Sequence, residues 1–208
     1  MIMASSIPKP SADDYIVAED CPEWLNTPSP FDNLDEEWKQ LIVFYVFHVP
    51  VVGVSARAKP LEFFGWGTKS KHDDFKQLKR KLIKYGNMTS DSFLCEDSWV
   101  KLKASIITNG LDPFPDNIVK ERVTYRKAKT GEVDSLLAHI RNSFAHGRLA
   151  FFDEQNEVYI VMEDVDDKKH VSARLILSKT TMIRWKIIIE SGPFLSNDEL
   201  EKRLEWKV

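Results

Sequence analysis

EVDSLLAHIRNSFAHGRLAFFDEQNEVYIVMED, residues 132–164, carries two different periodicities on either side of one glycine. Before the glycine, Val133, Leu136, Leu137, Ile140 and Phe144 recur at three- and four-residue steps, which predicts an amphipathic helix. Gly147 stands where such a helix stops, because glycine alone enters the left-handed conformation of a helix C-terminus without steric cost. Beyond it the chain is rich in Phe, Val, Ile and Tyr, and DEQNE reads as the turn of a β-hairpin. HVSARLILS, residues 170–178, predicts a third short strand, giving a small antiparallel sheet.

Working outward, helical patterns dominate. LDEEWKQLIVFYVFH (34–48) starts among acids suited to a helix N-terminus and ends before Pro50, with Trp38, Leu41, Ile42, Tyr45 and Val46 on one stripe. DDFKQLKRKLIKYG (73–86) turns Phe75, Leu78, Leu82 and Tyr85 inward and stops at Gly86. SDSFLCEDSWVKLKASIITNG (90–110) predicts a helix capped by Ser90 or Ser92, and FPDNIVKERVTYRKAKTG (114–131) a shorter one capped by Asp116. SKTTMIRWKIIIESG (178–192) and SNDELEKRLEW (196–206) add two Ser-capped helices. The fold class expected is therefore mainly α, a helical bundle with the small sheet appended. Residues 1–31, with five prolines and no period, read as an irregular arm, and 32–208 as one domain with a β insertion around 149–177.

Composition narrows the function classes. With 43% hydrophobic and 29% charged residues, 208 residues suit a folded domain rather than a disordered chain. The longest apolar run, 41–54, is broken by His48 and Pro50 and falls short of the roughly 20 residues of a membrane helix. The first residues lack the basic and apolar regions of a secretion signal, and Cys21 and Cys95 show no disulfide or zinc framework, so a cytoplasmic protein without membrane attachment is expected. No phosphate loop or metal-ligand spacing is present: GWG (65–67) is too short, and EDVDD (163–167), lacking the residues of a calcium loop, reads as a solvated turn. No cofactor is expected. Net charge is −3, yet residues 57–84 hold nine Lys and Arg against three acids, either a solvated helix face or a face that attracts phosphates.

Within the opening stretch, Arg141, Asn142 and His146 carry the chemistry. Arginine offers a planar fork of donors that matches phosphate oxygens, and histidine can both take and give a proton near neutral pH. Together they suit metal-free RNA cleavage, in which the 2′-hydroxyl attacks the neighbouring phosphorus. Acid–base help is worth ~10²–10⁴ in rate, and a cation on the developing charge a comparable factor. Asn142 would hold a phosphate oxygen or orient the imidazole. Five positions of regular helix leave Arg141 and His146 about 140° apart. Either the helix breaks inside the motif or two copies meet around a two-fold axis, each giving an Arg–His pair. The structural alternative is that Arg141 pairs with a surface acid and His146 merely caps the helix.

Other residues divide similarly. Arg148 would touch substrate or cap the following strand, and Ser143 would support the motif. Trp66, Phe63 and Phe64, beside Lys69 and Lys71, would stack on bases or pack in the core. His139 reads as surface or core edge, His48 as interior, and His72 and His170 as loop residues without a partner.

RNSFAH resembles the R-[N/D/H]-x-x-x-H signature of the HEPN superfamily (higher eukaryotes and prokaryotes nucleotide-binding), with Asn after the Arg and the Arg–His spacing inside the family range. The resemblance is sharp over residues 133–152 and architectural elsewhere. It implies a HEPN-like bundle acting as a homodimer, a metal-independent endoribonuclease with Arg141 and His146 catalytic and Asn142 supporting; Ser143, Arg148, Lys69 and Lys71 are the substrate-contact candidates read from their own positions. The products would carry 2′,3′-cyclic phosphate and 5′-hydroxyl ends. The setting it implies is a toxin–antitoxin or phage-defence effector, with an antitoxin or other regulatory protein as a further partner. Some members bind RNA or nucleotides, or another protein, without cutting, which is the competing expectation.

Overall fold

The computed structural model describes residues 11–26, 35–51, 53, 57–68, 70–114, 118 and 120–205. Its elements run α1 (Glu36–Ile42), a π-helical turn (Val43–His48), α2 (Lys71–Tyr85), β1 (Phe93–Glu96), α3 (Trp99–Thr108), β2 (Arg122–Arg126), α4 (Glu132–Ala145), β3 (Leu149–Glu154), β4 (Glu157–Val165), β5 (Val171–Ser178), α5 (Lys179–Ser191) and α6 (Asn197–Glu205). The strands form one mixed sheet in the order β1-β2-β5-β4-β3.

This sheet overturns the expected helical bundle with a small appendage. Two segments read as helical, 90–110 and 114–131, each hold a strand, and the two strands pair in parallel from Phe93–Val123 to Glu96–Arg126. Parallel neighbours need a crossover between them, which α3 supplies. Its cap is Ser98, whose hydroxyl accepts from the Lys101 amide, rather than Ser90 or Ser92. Asp116 lies outside the described residues. β2 then pairs antiparallel with β5, tying the new strands to the three that the sequence predicts. In RVTYR the period is two: Val123 and Tyr125 are fully buried in the main core, while Arg122 and Arg126 flank them.

The sheet is central, not appended, because both faces are covered. Ile160, Met162, Leu175 and Leu177 join residues of α1, α2, α4 and α5 in the main core. Val161, Val171 and Ile176 pack with Leu102 and Ile106 of α3, Leu111, Ile118 and Ala18 in a second one. Ala18 belongs to the N-terminal arm, which bridges Val17 to His170 and stacks Tyr15 on the His170 ring at 3.8 Å.

Local signals elsewhere hold. Asp35 caps α1 by accepting from the Trp38 amide, Ser178 caps α5 from Thr181, and Gly86 closes α2. Gln155 and Asn156, both at positive φ, turn the β3–β4 hairpin, the conformation a two-residue loop demands. His48, expected inside, is exposed at the end of its turn, and His72 lies on α2 rather than in a loop. Trp66 packs in the core with its indole N–H donating to the Ile189 carbonyl, whereas Phe63 is exposed under the Lys59 ammonium. Among the described residues no helix is long and apolar enough to cross a membrane.

The element that carries Arg141 and Asn142, with His146 at its C-cap, is α4. It buries Val133, Leu136, Leu137 and Ile140 against the sheet and the π-helical turn. Four such side chains are worth roughly 6–12 kcal/mol in transfer free energy, before chain entropy is charged. The C-terminal end of α4 is thus a fixed platform.

Candidate active site

Gly147 ends α4 as its position predicts. At φ +66° its amide faces the Phe144 carbonyl at 3.3 Å and the Arg148 amide donates to the Ser143 carbonyl at 2.9 Å, closing the last turn. A Cβ there would meet nothing within 4 Å, so backbone conformation alone requires the glycine. The helix is unbroken through Ala145, with His146 at the C-cap. A break inside the motif is therefore ruled out, and within one chain Arg141 and His146 leave the helix about 140° apart.

Arg141 is half-buried and has no carboxylate partner among the described residues. Its Nη1 donates to the Asn142 Oδ1 at 3.3 Å, and its Nε is enclosed without any acceptor. Among the described residues the surface ion pair of the structural alternative is absent. His146 is exposed and its ring bonds to nothing among the described residues, although its backbone does cap the helix by donating to the Asn142 carbonyl at 2.9 Å.

Asn142 links the surface to a buried polar cluster. Its Nδ2 donates to the Asp164 Oδ2 at 3.3 Å, which fixes the amide so that Oδ1 faces Arg141. The same carboxylate oxygen accepts from the Ser172 hydroxyl at 3.1 Å and faces the His139 Nδ1 at 2.6 Å, while Oδ1 accepts from the Val165 amide at 3.0 Å. His139 Nε2 sits 2.8 Å from the Arg126 carbonyl. Both ring nitrogens of His139 thus face acceptors, and both contacts are hydrogen bonds only if each nitrogen carries a proton. Asp164 is 5% exposed and belongs to the end of β4, so EDVDD is not the solvated turn its composition predicts.

Asp164, and His139 bonded to it, stand behind Asn142, an arrangement the sequence reading did not find. The available signal was local: His139 and Asn142, three apart, share a face of α4. Their common partner lies more than twenty residues downstream and has no sequence signature.

The remaining candidates are committed to other contacts or lie outside the described residues. Ser143 is fully buried and its hydroxyl donates to the His139 carbonyl at 2.9 Å, leaving it no access to a ligand. Arg148 is committed: Nε donates to Glu163 Oε1 at 3.1 Å, and Nη2 reaches the same oxygen and the Glu19 carbonyl. Glu163, 1% exposed, also binds Arg174 Nε at 2.8 Å, and Arg174 in turn meets Asp112 at 2.5 Å. Glu163 is two residues beyond Val161 and so faces the α3 side of the sheet, away from Asn142. Arg148 therefore caps its strand. A cavity of about 780 Å³ opens beside this cluster, walled by Trp24, Phe114 and Phe152, but Glu163 and Asp112 neutralise Arg174, the cation that lines it. Lys69 lies outside the described residues. Lys71 opens α2, and its side chain is likewise outside them. His170 does have a partner, Asp166 at 3.2 Å; burial opposes ionisation of that carboxyl, but bonds from the His170 and Lys168 amides hold it below the usual range.

Among the described residues no group of three or more His, Cys, Asp or Glu side chains is placed to hold a metal ion. In comparisons with family models, curated proteins and solved structures, none matches this chain.

Proposed function

We propose that the protein is a metal-independent endoribonuclease whose site is the exposed end of α4. The observation that carries this is Arg141: a half-buried guanidinium with one orienting bond, no counter-ion among the described residues, and an enclosed Nε without an acceptor. An uncompensated, pre-oriented arginine is suited to an anion that arrives from outside, and a phosphodiester matches its fork. The free imidazole of His146 on the adjoining turn supplies the proton-transfer group.

In the reaction, His146 removes the proton of a ribose 2′-hydroxyl, the 2′-oxygen attacks phosphorus, and the bond to the 5′-oxygen breaks. The leaving oxygen takes a proton from water, which the His146 imidazolium then replaces. Arg141 balances the charge that gathers on the non-bridging oxygens. The products are a 2′,3′-cyclic phosphate and a 5′-hydroxyl. Because the unbroken helix directs Arg141 and His146 of one chain apart, we assign the working site to two copies around a two-fold axis. The reading stands on the motif and its placement; the sheet-centred fold is not the bundle that the HEPN resemblance implies. That resemblance extends the proposal to a growth-arresting or phage-defence effector restrained by a regulatory protein.

The test is incubation of RNA with purified protein in excess chelator, beside Arg141→Ala and His146→Ala. Cyclic-phosphate ends that appear with the parent alone support the enzyme. RNA retention without cleavage by all three would replace it with a non-catalytic binding module.

A further inference from the structure

A second concave surface lies at the other end of α4. Between α2 and the start of α4 a cavity of about 730 Å³ opens, with Phe75, Ile83 and Val133 among its apolar lining. Lys76, Lys79, Arg80 and Lys127 also line it, against the single acid Glu132, so four cations less one anion leave a local charge of +3. Glu132 is shared by Lys79 at 2.6 Å and Lys127 at 3.7 Å, and the Lys79 ammonium holds its carboxyl below the usual range. Lys76 and Arg80 remain: both are exposed, and neither has an ion-pair partner among the described residues.

Their placement follows from α2 itself. Leu78, Leu82 and Tyr85 face the core, which leaves Lys76 and Arg80 four residues apart on the opposite side. Like charges at that spacing repel each other. Concentrated over a concave, partly apolar wall instead of a flat solvated face, they focus a positive field on an incoming anion. The volume falls within the range of sites that hold a small ligand or part of a chain.

We propose that this cavity is a second contact for single-stranded RNA, with Lys76 and Arg80 holding backbone phosphates and the apolar wall receiving a base. The inference rests on the ribonuclease reading for its choice of RNA. It adds a strand path along α4: at 1.5 Å per residue, Arg141 and His146 lie about 14 and 21 Å from Glu132 along the helix. At a stacked rise of about 3.4 Å that is roughly four to six nucleotides.

The experiment is fluorescence anisotropy of the full chain with a labelled 2′-O-methyl oligoribonucleotide, which has the phosphates but no 2′-hydroxyl to attack. The double variant Lys76→Glu/Arg80→Glu is expected to weaken binding at least tenfold. It should also lower the slope of log affinity against log salt by about 1.4, the value for two lost single-strand phosphate contacts. Lys168→Glu/Lys202→Glu, which changes net charge equally at exposed positions elsewhere, should leave affinity within about twofold. Equal loss in both double variants, an unchanged slope, or a parent that does not bind would each overturn the inference. A cleavage defect is read separately: if the parent binds as expected but never cuts, the ribonuclease reading fails while this contact stands.

Discussion

Replacing Asp164 by Asn tests how the interior sets the surface arginine. The carboxylate is 5% exposed; its Oδ1 accepts from the Val165 amide, while Oδ2 meets His139, Asn142 and Ser172. In the variant Oδ1 can keep the Val165 bond, but an amide NH₂ replaces the other oxygen. Two of the three partners can adapt, because the Ser172 hydroxyl can rotate to accept and His139 can present an unprotonated Nδ1. Asn142 cannot adapt without turning its own amide over, which withdraws Oδ1 from Arg141. Charged hydrogen bonds are worth about 1.5–3 kcal/mol and neutral ones about 0.5–1.5. One stranded donor and two weakened bonds therefore predict a loss of about 2–4 kcal/mol, less than the 5–15 kcal/mol of an ordinary domain. The protein should fold, lose that much stability in urea, and cleave RNA ~10- to 100-fold more slowly, the scale on which loss of an orienting partner acts. Affinity for a 2′-O-methyl oligoribonucleotide should fall in the same variant but stay unaltered when the change is made in an Arg141→Ala background, since nothing remains to orient. Stability within about 0.5 kcal/mol of the parent, or additive effects of the two substitutions on that affinity, would refute this reasoning.

Two further outcomes follow from buried charge. Glu163→Ala strands the guanidinium of Arg148 and leaves Arg174 only Asp112 as a counter-ion, and should cost about 3–5 kcal/mol in urea unfolding; a loss under about 1 kcal/mol would mean the cluster is solvated. Burial raises the Glu121 carboxyl above the ordinary glutamate range, although Ser178 and Thr181 donate to its Oε1, and its Oε2 has no partner. A raised acid binds more protons folded than unfolded, so its contribution falls as pH rises from about 4.3 through the folded value and is flat above it. Glu121→Gln should therefore gain stability relative to the parent as pH rises through that window, read from urea midpoints; a pH-independent difference would contradict the assignment.

Sequence reading succeeded where the determinants are local. The apolar steps of α4, the left-handed Gly147, the Gln155–Asn156 turn and the serine cap of α5 each depend on a few neighbouring residues. It failed at FLCE and RVTYR, four- and five-residue strands flanked by charge, whose conformation comes from pairing with each other and with β5. Once they are strands, the sheet moves from periphery to centre. The motif was legible, but the carboxylate behind it was not, because Asp164 meets His139 and Asn142 across 25 and 22 positions of chain. The basic run was equally legible as composition and mute about direction. Lys76 and Arg80 face a cavity, while Lys81 of the same helix is buried, bonded to the Leu195 carbonyl, and desolvated so that its pKa falls.

The most direct measurement mixes two inactive proteins. Arg141→Ala keeps the imidazole and His146→Ala keeps the guanidinium, so only a site built from both copies can recover one of each. Denaturing the two variants together and refolding them should restore cyclic-phosphate cleavage in the mixed dimers, about half of the population on random pairing. No activity in a mixture shown to contain mixed dimers, or full activity in either variant alone, would contradict the account.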